Sequence, residues 1–177
     1  MATTKWVLDA AHSEVHFKVK HLMISTVTGS IGKFDIEVES GSDDFSDAKV
    51  SFHAEMGTIN TNNEQRDGHL KSGDFFDVEK FPKMAFVSDS VTKNGDGNLL
   101  VKGKLTIKDV TKPIEFPVEF GGAAKDPWGN GKAGFSVDTK INREDFGLSW
   151  NAALETGGVL VSSDVRILAE IQLLAQA

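Results

Sequence analysis

The chain of 177 residues has no cysteine, and therefore no disulfide, no thiolate nucleophile and no site at which cysteine could hold zinc or an iron–sulfur cluster. Basic residues are also few: 19 lysines and arginines stand against 26 acidic residues, which gives a formal net charge of -7. A negative charge of this size opposes binding to nucleic acid and to anionic lipid headgroups. We therefore expect no nucleic-acid partner and at most transient contact with a membrane.

Long apolar runs are missing as well. The sequence has no stretch of about 18 consecutive apolar residues, which a membrane-spanning helix would require. Its N-terminus has no basic segment followed by an apolar run of about 7 to 15 residues, which is the pattern of a secretion signal. We expect a cytoplasmic protein, or a periplasmic one if a leader was removed before this sequence was recorded.

The dominant pattern that is present is a strict alternation of apolar and polar residues, which is typical of β-strands with one buried face. Segments with this period are 12–20, 33–39, 49–56, 99–107, 114–120, 133–141 and 161–173. Turn-forming residues separate them, as in Asn94 to Gly97 and Asp126 to Gly131. About eight long strands in a chain of one-domain size predict an all-β fold, a closed antiparallel β-barrel of about eight strands over residues 1–177.

Three local features modify this pattern. In residues 83–91, apolar side chains occur at both odd and even positions. This pattern indicates a strand buried on both sides or one with a bulge. Pro113 and Pro117 fall at the polar positions of the alternating pattern. Because proline has no N–H group, they indicate an edge, a bulge or a strand start. Residues 63–71 predict one short helix of about two turns near the barrel mouth, with Asn62 as its N-cap.

The composition of the interior leaves two arrangements open. Alternation alone is more typical of a packed core, but a barrel of this size can also hold one small apolar ligand. The chain has twelve phenylalanines and no tyrosine, and most of the strand phenylalanines share the apolar parity. Such a lining suits a ligand with few hydrogen-bonding groups, because an unpaired buried polar group costs about 1 to 3 kcal/mol.

Catalytic and metal-binding patterns are weak. His12 and His16 would lie about 13 Å apart on a strand, too far for one metal ion with bonds of about 2 Å. Ser13 lies beside His12, but the sequence has no Gly-x-Ser-x-Gly elbow and no glycine-rich phosphate loop. We predict no metal site, no cofactor and no catalytic residue.

Several segments, in order along nearly the whole chain, resemble the YceI-like family. They are residues 6–29, 59–70 (INTNNEQRDGHL), 74–82 (DFFDVEKFP), 103–113 (GKLTIKDVTKP), 126–129 (DPWG) and 141–148 (INREDFGL), followed by Trp150 and Asn151. The resemblance implies a lipocalin-like barrel whose apolar cavity binds a long isoprenoid, either a polyprenyl chain or the tail of an isoprenoid quinone. Family members of this kind are carriers or storage proteins rather than established enzymes, and homodimers are known among them.

Parity and resemblance together predict the residues that bind the ligand. These are Phe17, Val19, Leu22, Met23, Val27, Phe34, Phe52, Phe75, Phe76, Phe81, Phe86, Leu105, Phe116, Phe135 and Phe146. Arg66 and Arg143 are candidates for contact with a polar headgroup, although each could instead tie down its own loop through neighbouring carboxylates. The predicted function is non-catalytic binding and carriage or storage of the isoprenoid. The alternatives are a structural or stress-response protein with a packed core and, less favoured, an enzyme acting on an isoprenoid.

Overall fold

The computed structural model describes residues 3–22, 24–42, 44–95, 97–148, 151 and 161–176. Within these residues it contains eleven strands and one α-helix. The elements are β1 (Thr4–Leu8), β2 (Glu14–His21), β3 (Ser25–Ile31), β4 (Phe34–Ser40), β5 (Lys49–Glu55), β6 (Ile59–Asn60), α1 (Glu64–Lys71), β7 (Lys83–Lys93), β8 (Asn98–Ile107), β9 (Val110–Lys125), β10 (Gly131–Asn142) and β11 (Asp164–Ala175).

The strands form one closed antiparallel sheet. Neighbours follow the order β1, β4, β5, β7, β8, β9, β10 and β11, and pairing of β1 with β11 closes the ring. β2, β3 and β6 continue the lines of β1, β4 and β5, so the described residues form a barrel of eight long strands, three of them interrupted. The predicted eight-stranded antiparallel barrel is confirmed.

The irregular segments follow from local sequence. The register of β7 against β8 shifts between Ser88 and Ser90, which confirms the bulge alternative for this strand. Pro113 and Pro117 pair with β8, while the register between β9 and β10 begins only at Val118. Both prolines therefore lie in the part of β9 that is not paired with β10. On that side of β9 the missing N–H group of proline breaks no hydrogen bond between strands.

The short helix is confirmed, with a different first residue. α1 begins at Glu64, and its N-cap is Asn63, whose side chain accepts a hydrogen bond from the backbone N–H of Arg66. Asn62 was the predicted cap, but it lies outside the helix with a φ of 63°, in the left-handed region that asparagine tolerates.

The barrel has two different ends. The β2–β3 turn, α1 and the segments around Arg143 lie at one end, which we call the mouth. At the other end, the far end, a cluster of four aromatic side chains that we call the aromatic plug fills the opening. Phe45 is its centre, with ring centroids 5.2 Å from Trp6, 5.3 Å from Phe120 and 5.0 Å from Phe135.

A polar cluster joins the interrupted first strand to its neighbours. The Asp9 carboxylate accepts hydrogen bonds from Lys132 Nζ at 2.6 Å and from the Gln172 side chain at 3.3 Å, and it lies 3.0 Å from His12 Nδ1. The Ser13 hydroxyl donates to the backbone carbonyl of Asp9. Ser13, which stands beside His12 in the sequence, therefore has a structural role in this turn.

The cluster predicts an acid-dependent loss of stability. The hydrogen bond from Lys132 is the main reason that the pKa of Asp9 lies below its ordinary value. A lowered folded-state pKa gives stability that is present above the unfolded pKa of about 3.9 and is lost as pH falls through the folded value. We expect Asp9→Asn to be less stable at neutral pH and to lose less stability below pH of about 4 than the unmodified chain.

Urea unfolding at a series of pH values measures this effect. Glu37→Gln, which removes an exposed carboxylate from β4, is the control and should leave the curve almost unchanged. Parallel stability curves for Asp9→Asn and the unmodified chain would show that the cluster contributes nothing.

Candidate functional site

The inside of the barrel holds an apolar cavity of about 220 Å³, which we call the barrel cavity. A cavity that holds one water molecule needs only about 10 to 15 Å³. The interior of the barrel is therefore hollow rather than packed solid. Residues of all eight strands line it, and among the described ones only His16 and Thr139 are polar. The His16 side chain lies 3.1 Å from Glu14, on the face of β2 opposite to buried Val15. Its aromatic residues are Phe17, Phe45, Phe52, Phe86, Phe116 and Phe135.

A second cavity of about 210 Å³ lies at the mouth, and we call it the mouth cavity. Its apolar wall includes residues from β2, β3, α1 and the segment after α1, among them Val19, Val27, Leu70, Phe75 and Phe76. The two cavities adjoin, because they share the lining residues Phe17, Ile31, Met84, Ile141 and Ile167. We call the two adjoining cavities together, from the mouth to the aromatic plug, the apolar path.

Phe17 marks the boundary between the two cavities. Its ring lies against the backbone of Gly29, its partner on β3, and a Cβ atom at Gly29 would fall 2.2 Å from Phe17 Cζ. Real Cβ atoms do not approach other atoms this closely, so any other residue at Gly29 would push the ring away. The glycine thus fixes the position of an aromatic side chain between the two cavities.

Several polar side chains lie at the mouth end of the path. Arg66 donates from Nε to the Thr61 hydroxyl at 2.8 Å and from Nη2 to the Thr61 carbonyl at 2.7 Å. The Thr61 hydroxyl donates in turn to the Asp67 carboxylate at 2.6 Å. His69 Nε2 lies 2.8 Å from the Asp74 carboxylate. These contacts hold the polar groups in place around an apolar opening.

Arg143 is buried beside the same opening, with 3 % of its surface exposed. It donates from Nε to the Ser162 carbonyl at 2.8 Å, from Nη2 to the Val161 carbonyl at 3.2 Å and from Nη1 to the Leu148 carbonyl. Burial lowers its pKa from the ordinary value. Arg143 therefore ties its own segment together through backbone carbonyls, rather than through the adjacent carboxylates that the sequence suggested.

This arrangement also corrects the start of the last strand. The alternation predicts a strand from residue 161, but β11 begins at Asp164. Arg143 donates to the carbonyls of Val161 and Ser162, and the Asn151 side chain pairs with the N–H and carbonyl of Val161. Val161 is joined to His21 by an isolated bridge. The guanidinium carbon of Arg143 also lies 6.0 Å from the ring centroid of Phe75, which connects this segment to the lining of the mouth cavity.

Replacing Arg143 by lysine should destabilise the mouth. Lysine carries its donors on one nitrogen and cannot reach three carbonyls that diverge around a planar guanidinium. Leaving buried carbonyls without donors should lower the free energy of unfolding by about 2 to 3 kcal/mol. Chemical denaturation measures the change, and Arg166→Lys on the exposed face, where Arg166 pairs with Asp138, is the matched control with little expected change. Equal stability of Arg143→Lys and the unmodified chain would contradict the assigned role.

The structure brings most of the predicted ligand-binding residues to the two cavities. The barrel cavity contains Phe17, Phe52, Phe86, Leu105, Phe116 and Phe135. The mouth cavity contains Phe17, Val19, Val27, Phe75 and Phe76, together with Arg66 and Arg143. Leu22, Phe34, Phe81 and Phe146 line neither cavity, and Met23 lies outside the described residues. Whether the lining residues bind a ligand stays a prediction.

Sequence reasoning missed part of the lining. Phe45 lies in the loop between β4 and β5, where no alternation marks it as inward-facing. The alternation does place Ile114, Val137 and Ile141 on the apolar faces of their strands. The predicted ligand-binding residues did not include them, because phenylalanine was favoured. Thr139 has polar chemistry at an inward position of β10, and only the register shows where it lies.

Two features are absent from the part of the chain that the structure describes. No three His, Asp or Glu side chains there lie close enough together to hold a metal ion. No helix there has the length and apolar character needed to span a bilayer.

Comparison with known proteins places the chain among close relatives. Residues 6–173 match the family described as the YceI-like domain. A UPF0312 protein of Staphylococcus aureus strain N315 is 45% identical over 170 residues, which cover 96% of each chain. The crystal structure of a Campylobacter jejuni YCEI protein is 32% identical with a TM-score of 0.77, covering 96% of this chain and 97% of that one.

A more distant structure shares the fold. It is a polyisoprenoid binding domain from Saccharophagus degradans, 15% identical with a TM-score of 0.73, covering 97% of this chain and 98% of that one.

Proposed function

Because the chain belongs to the YceI-like family, we propose that its barrel binds a long isoprenoid, a polyprenyl chain or the tail of an isoprenoid quinone, and carries or stores it without chemical change. The observation that carries this proposal is the apolar path through the barrel cavity and the mouth cavity. A ligand that fits the path is long and apolar, with its polar end, if it has one, at the mouth.

The expected source of affinity is burial of apolar surface. Each Å² of apolar ligand surface removed from water contributes about 25 cal/mol. In the part of the chain that the structure describes, Thr139 is the one polar side chain directed into the barrel cavity, so directional bonds along the tail would be few. Affinity should therefore rise with the number of isoprene units, up to the length that the path accommodates.

Polar groups at the mouth fit a binding role better than a catalytic one. Arg143 holds three backbone carbonyls, Arg66 is held by Thr61, and His69 lies against Asp74. A nucleophile activated by a base would need a free pair within hydrogen-bonding reach of the ligand. Arg66 and Arg143 instead donate to Thr61 and to backbone carbonyls, and so fix the shape of the opening near the point where a headgroup would stop.

The family resemblance and the cavity support this proposal in different ways. The Saccharophagus degradans domain is named for polyisoprenoid binding, and its low identity makes it a guide to the fold alone. The family resemblance implies the isoprenoid, and this chain's own lining, in which aromatic and branched aliphatic side chains face a hollow interior, supports an apolar ligand. A structural protein with a packed core would have no reason to keep a cavity of about 220 Å³.

Mass spectrometry of an organic-solvent extract, together with native mass spectrometry of the intact protein, tests the proposal. The expected result is one isoprenoid per barrel in the purified protein, or uptake of an added polyprenol or quinone with no change in its mass. An empty, folded barrel that takes up neither compound would refute it. Recovery of a chemically altered compound would instead favour an enzyme.

A further inference from the structure

The tip of the β2–β3 hairpin exposes apolar side chains at the mouth. Four large apolar side chains of the described residues are exposed, and two of them, Leu22 at 37 % and Ile24 at 81 %, lie on this single turn. The strands that lead away from the tip reach the mouth cavity directly, because Lys20 and His21 on one side and Val27 on the other line it. Two exposed apolar side chains thus lie beside the opening of an apolar path.

The charge around the tip differs from that of the whole chain. The longest stretch of the sequence without an acidic residue is 15–34, which covers the hairpin almost completely. This stretch carries three lysines, at positions 18, 20 and 33. Lys33 lies beyond β3 and pairs with Glu55 at 3.7 Å. The hairpin itself, residues 14–31, carries Lys18 and Lys20 against Glu14, so it is slightly basic in a protein whose formal net charge is -7.

We infer that the tip of the β2–β3 hairpin, through Leu22 and Ile24, docks the barrel on an anionic lipid surface, with Lys18 and Lys20 facing the headgroups. This inference rests on the proposed function, since it names the surface from which the ligand would be taken or to which it would be delivered. The overall negative charge does not prevent docking. Charges more than about 10 Å from the contact are screened at moderate ionic strength, so the local balance decides, which sets Lys18 and Lys20 against Asp164, two residues after the Ser162 that hydrogen-bonds to Lys20.

The dimensions of the hairpin fit this role. Apolar groups of interfacial segments reach about 5 to 10 Å into the boundary between headgroups and acyl chains. Val27 lies three residues from Ile24, which is about 10 Å along a strand. A tip inserted to this depth would bring the mouth cavity to the level of the headgroups, and an isoprenoid tail could pass between membrane and barrel with little exposure to water.

Binding by two apolar side chains and a few lysines should be weak and reversible. Each lysine near an anionic surface contributes about a fivefold factor, which salt removes. The experiment is sedimentation with vesicles of equal parts phosphatidylcholine and phosphatidylglycerol that contain no isoprenoid, at low and at high salt. We expect the unmodified chain to sediment with these vesicles at low salt, to be released at high salt, and to bind vesicles of phosphatidylcholine alone much less.

Ile24→Asp should reduce vesicle binding by about tenfold or more, since it removes an inserted side chain and adds a negative charge. Trp128→Asp is the matched control. Trp128 is 82 % exposed in the turn between β9 and β10 at the far end, so the same kind of change should leave vesicle binding as it was. Both positions are exposed, and circular dichroism would verify that each variant is folded.

Three results would overturn the inference. They are no sedimentation of the unmodified chain, equal sedimentation of Ile24→Asp, or an equal loss in Trp128→Asp. If Ile24→Asp converts a dimer to a monomer in solution and leaves vesicle binding unchanged, the tip is a contact between two copies and the inference is also wrong. Extraction of isoprenoid from Ile24→Asp keeps the two proposals separate, because ligand retained without vesicle binding would leave the proposed function intact.

Discussion

Replacing Phe45 by alanine is expected to lower the free energy of unfolding by about 3 to 5 kcal/mol, the usual cost of removing a buried phenylalanine ring. Phe45 is 2 % exposed, and its ring is the centre of the aromatic plug. Aromatic pairs at these distances contribute about 0.5 to 1.5 kcal/mol beyond their buried area. Urea unfolding of the purified variant measures the loss.

The backbone at this position sharpens the test. Phe45 has a φ of 61°, in the left-handed region that glycine occupies without strain. Glycine usually destabilises a protein relative to alanine by about 0.5 to 1 kcal/mol. At this position alanine keeps the backbone strain and glycine relieves it, so Phe45→Gly should be no less stable than Phe45→Ala. Trp128→Ala is the control for loss of an exposed aromatic residue and should change stability by no more than about 0.5 kcal/mol. A loss below 1 kcal/mol in Phe45→Ala would show that the aromatic plug does not hold the far end closed.

Phe45 also shows where sequence reasoning stops. Alternation with a period of two identified the long strands because half-buried strands must present one face to the interior. Loop 41–48 has no such constraint, and the inward direction of Phe45 depends on contacts with β1, β9 and β10, which are distant in sequence. The closed end of the cavity therefore could not be predicted from the sequence pattern of any one strand or loop.

The mouth illustrates the same limit in another way. Arg143 was identified from its turn-like setting, but its partners are carbonyls at 148, 161 and 162, which only the closed barrel brings together. Leu22 was predicted to line the approach to the ligand, and the structure places it on an exposed turn outside both cavities. Alternation cannot assign a direction to a residue in a tight turn, because the pleat ends there.

Periodicity also could not decide whether the barrel is hollow. It tells which side chains point inward, but the space between opposite walls depends on strand number, tilt and side-chain volume together. Many inward positions of this chain are valine or alanine, such as Val101, Val137 and Ala169, and these do not reach across the interior. The cavity is thus a property of the assembled ring rather than of any one strand.

Filling the cavity is the second change with a large expected effect. Ala169 lies on β11, opposite Val137 of β10 and Val15 of β2, and lines the barrel cavity. In Ala169→Phe, a phenyl ring would occupy the space in which the isoprenoid tail is proposed to lie. We expect retention of an added polyprenol, measured by native mass spectrometry, to fall at least about tenfold, which is about 1.4 kcal/mol of binding free energy.

The same variant should be at least as stable as the unmodified chain, because filling a cavity commonly adds about 0.5 to 2 kcal/mol. Ala124→Phe, which makes the identical change at an exposed position of β9, should alter neither stability nor ligand retention. The two readouts separate the candidate roles of the barrel. A ring forced into a packed interior would cost about 1 to 3 kcal/mol and would favour a structural protein with a solid core. A folded Ala169→Phe barrel that keeps its ligand would show that the isoprenoid does not bind in the barrel cavity.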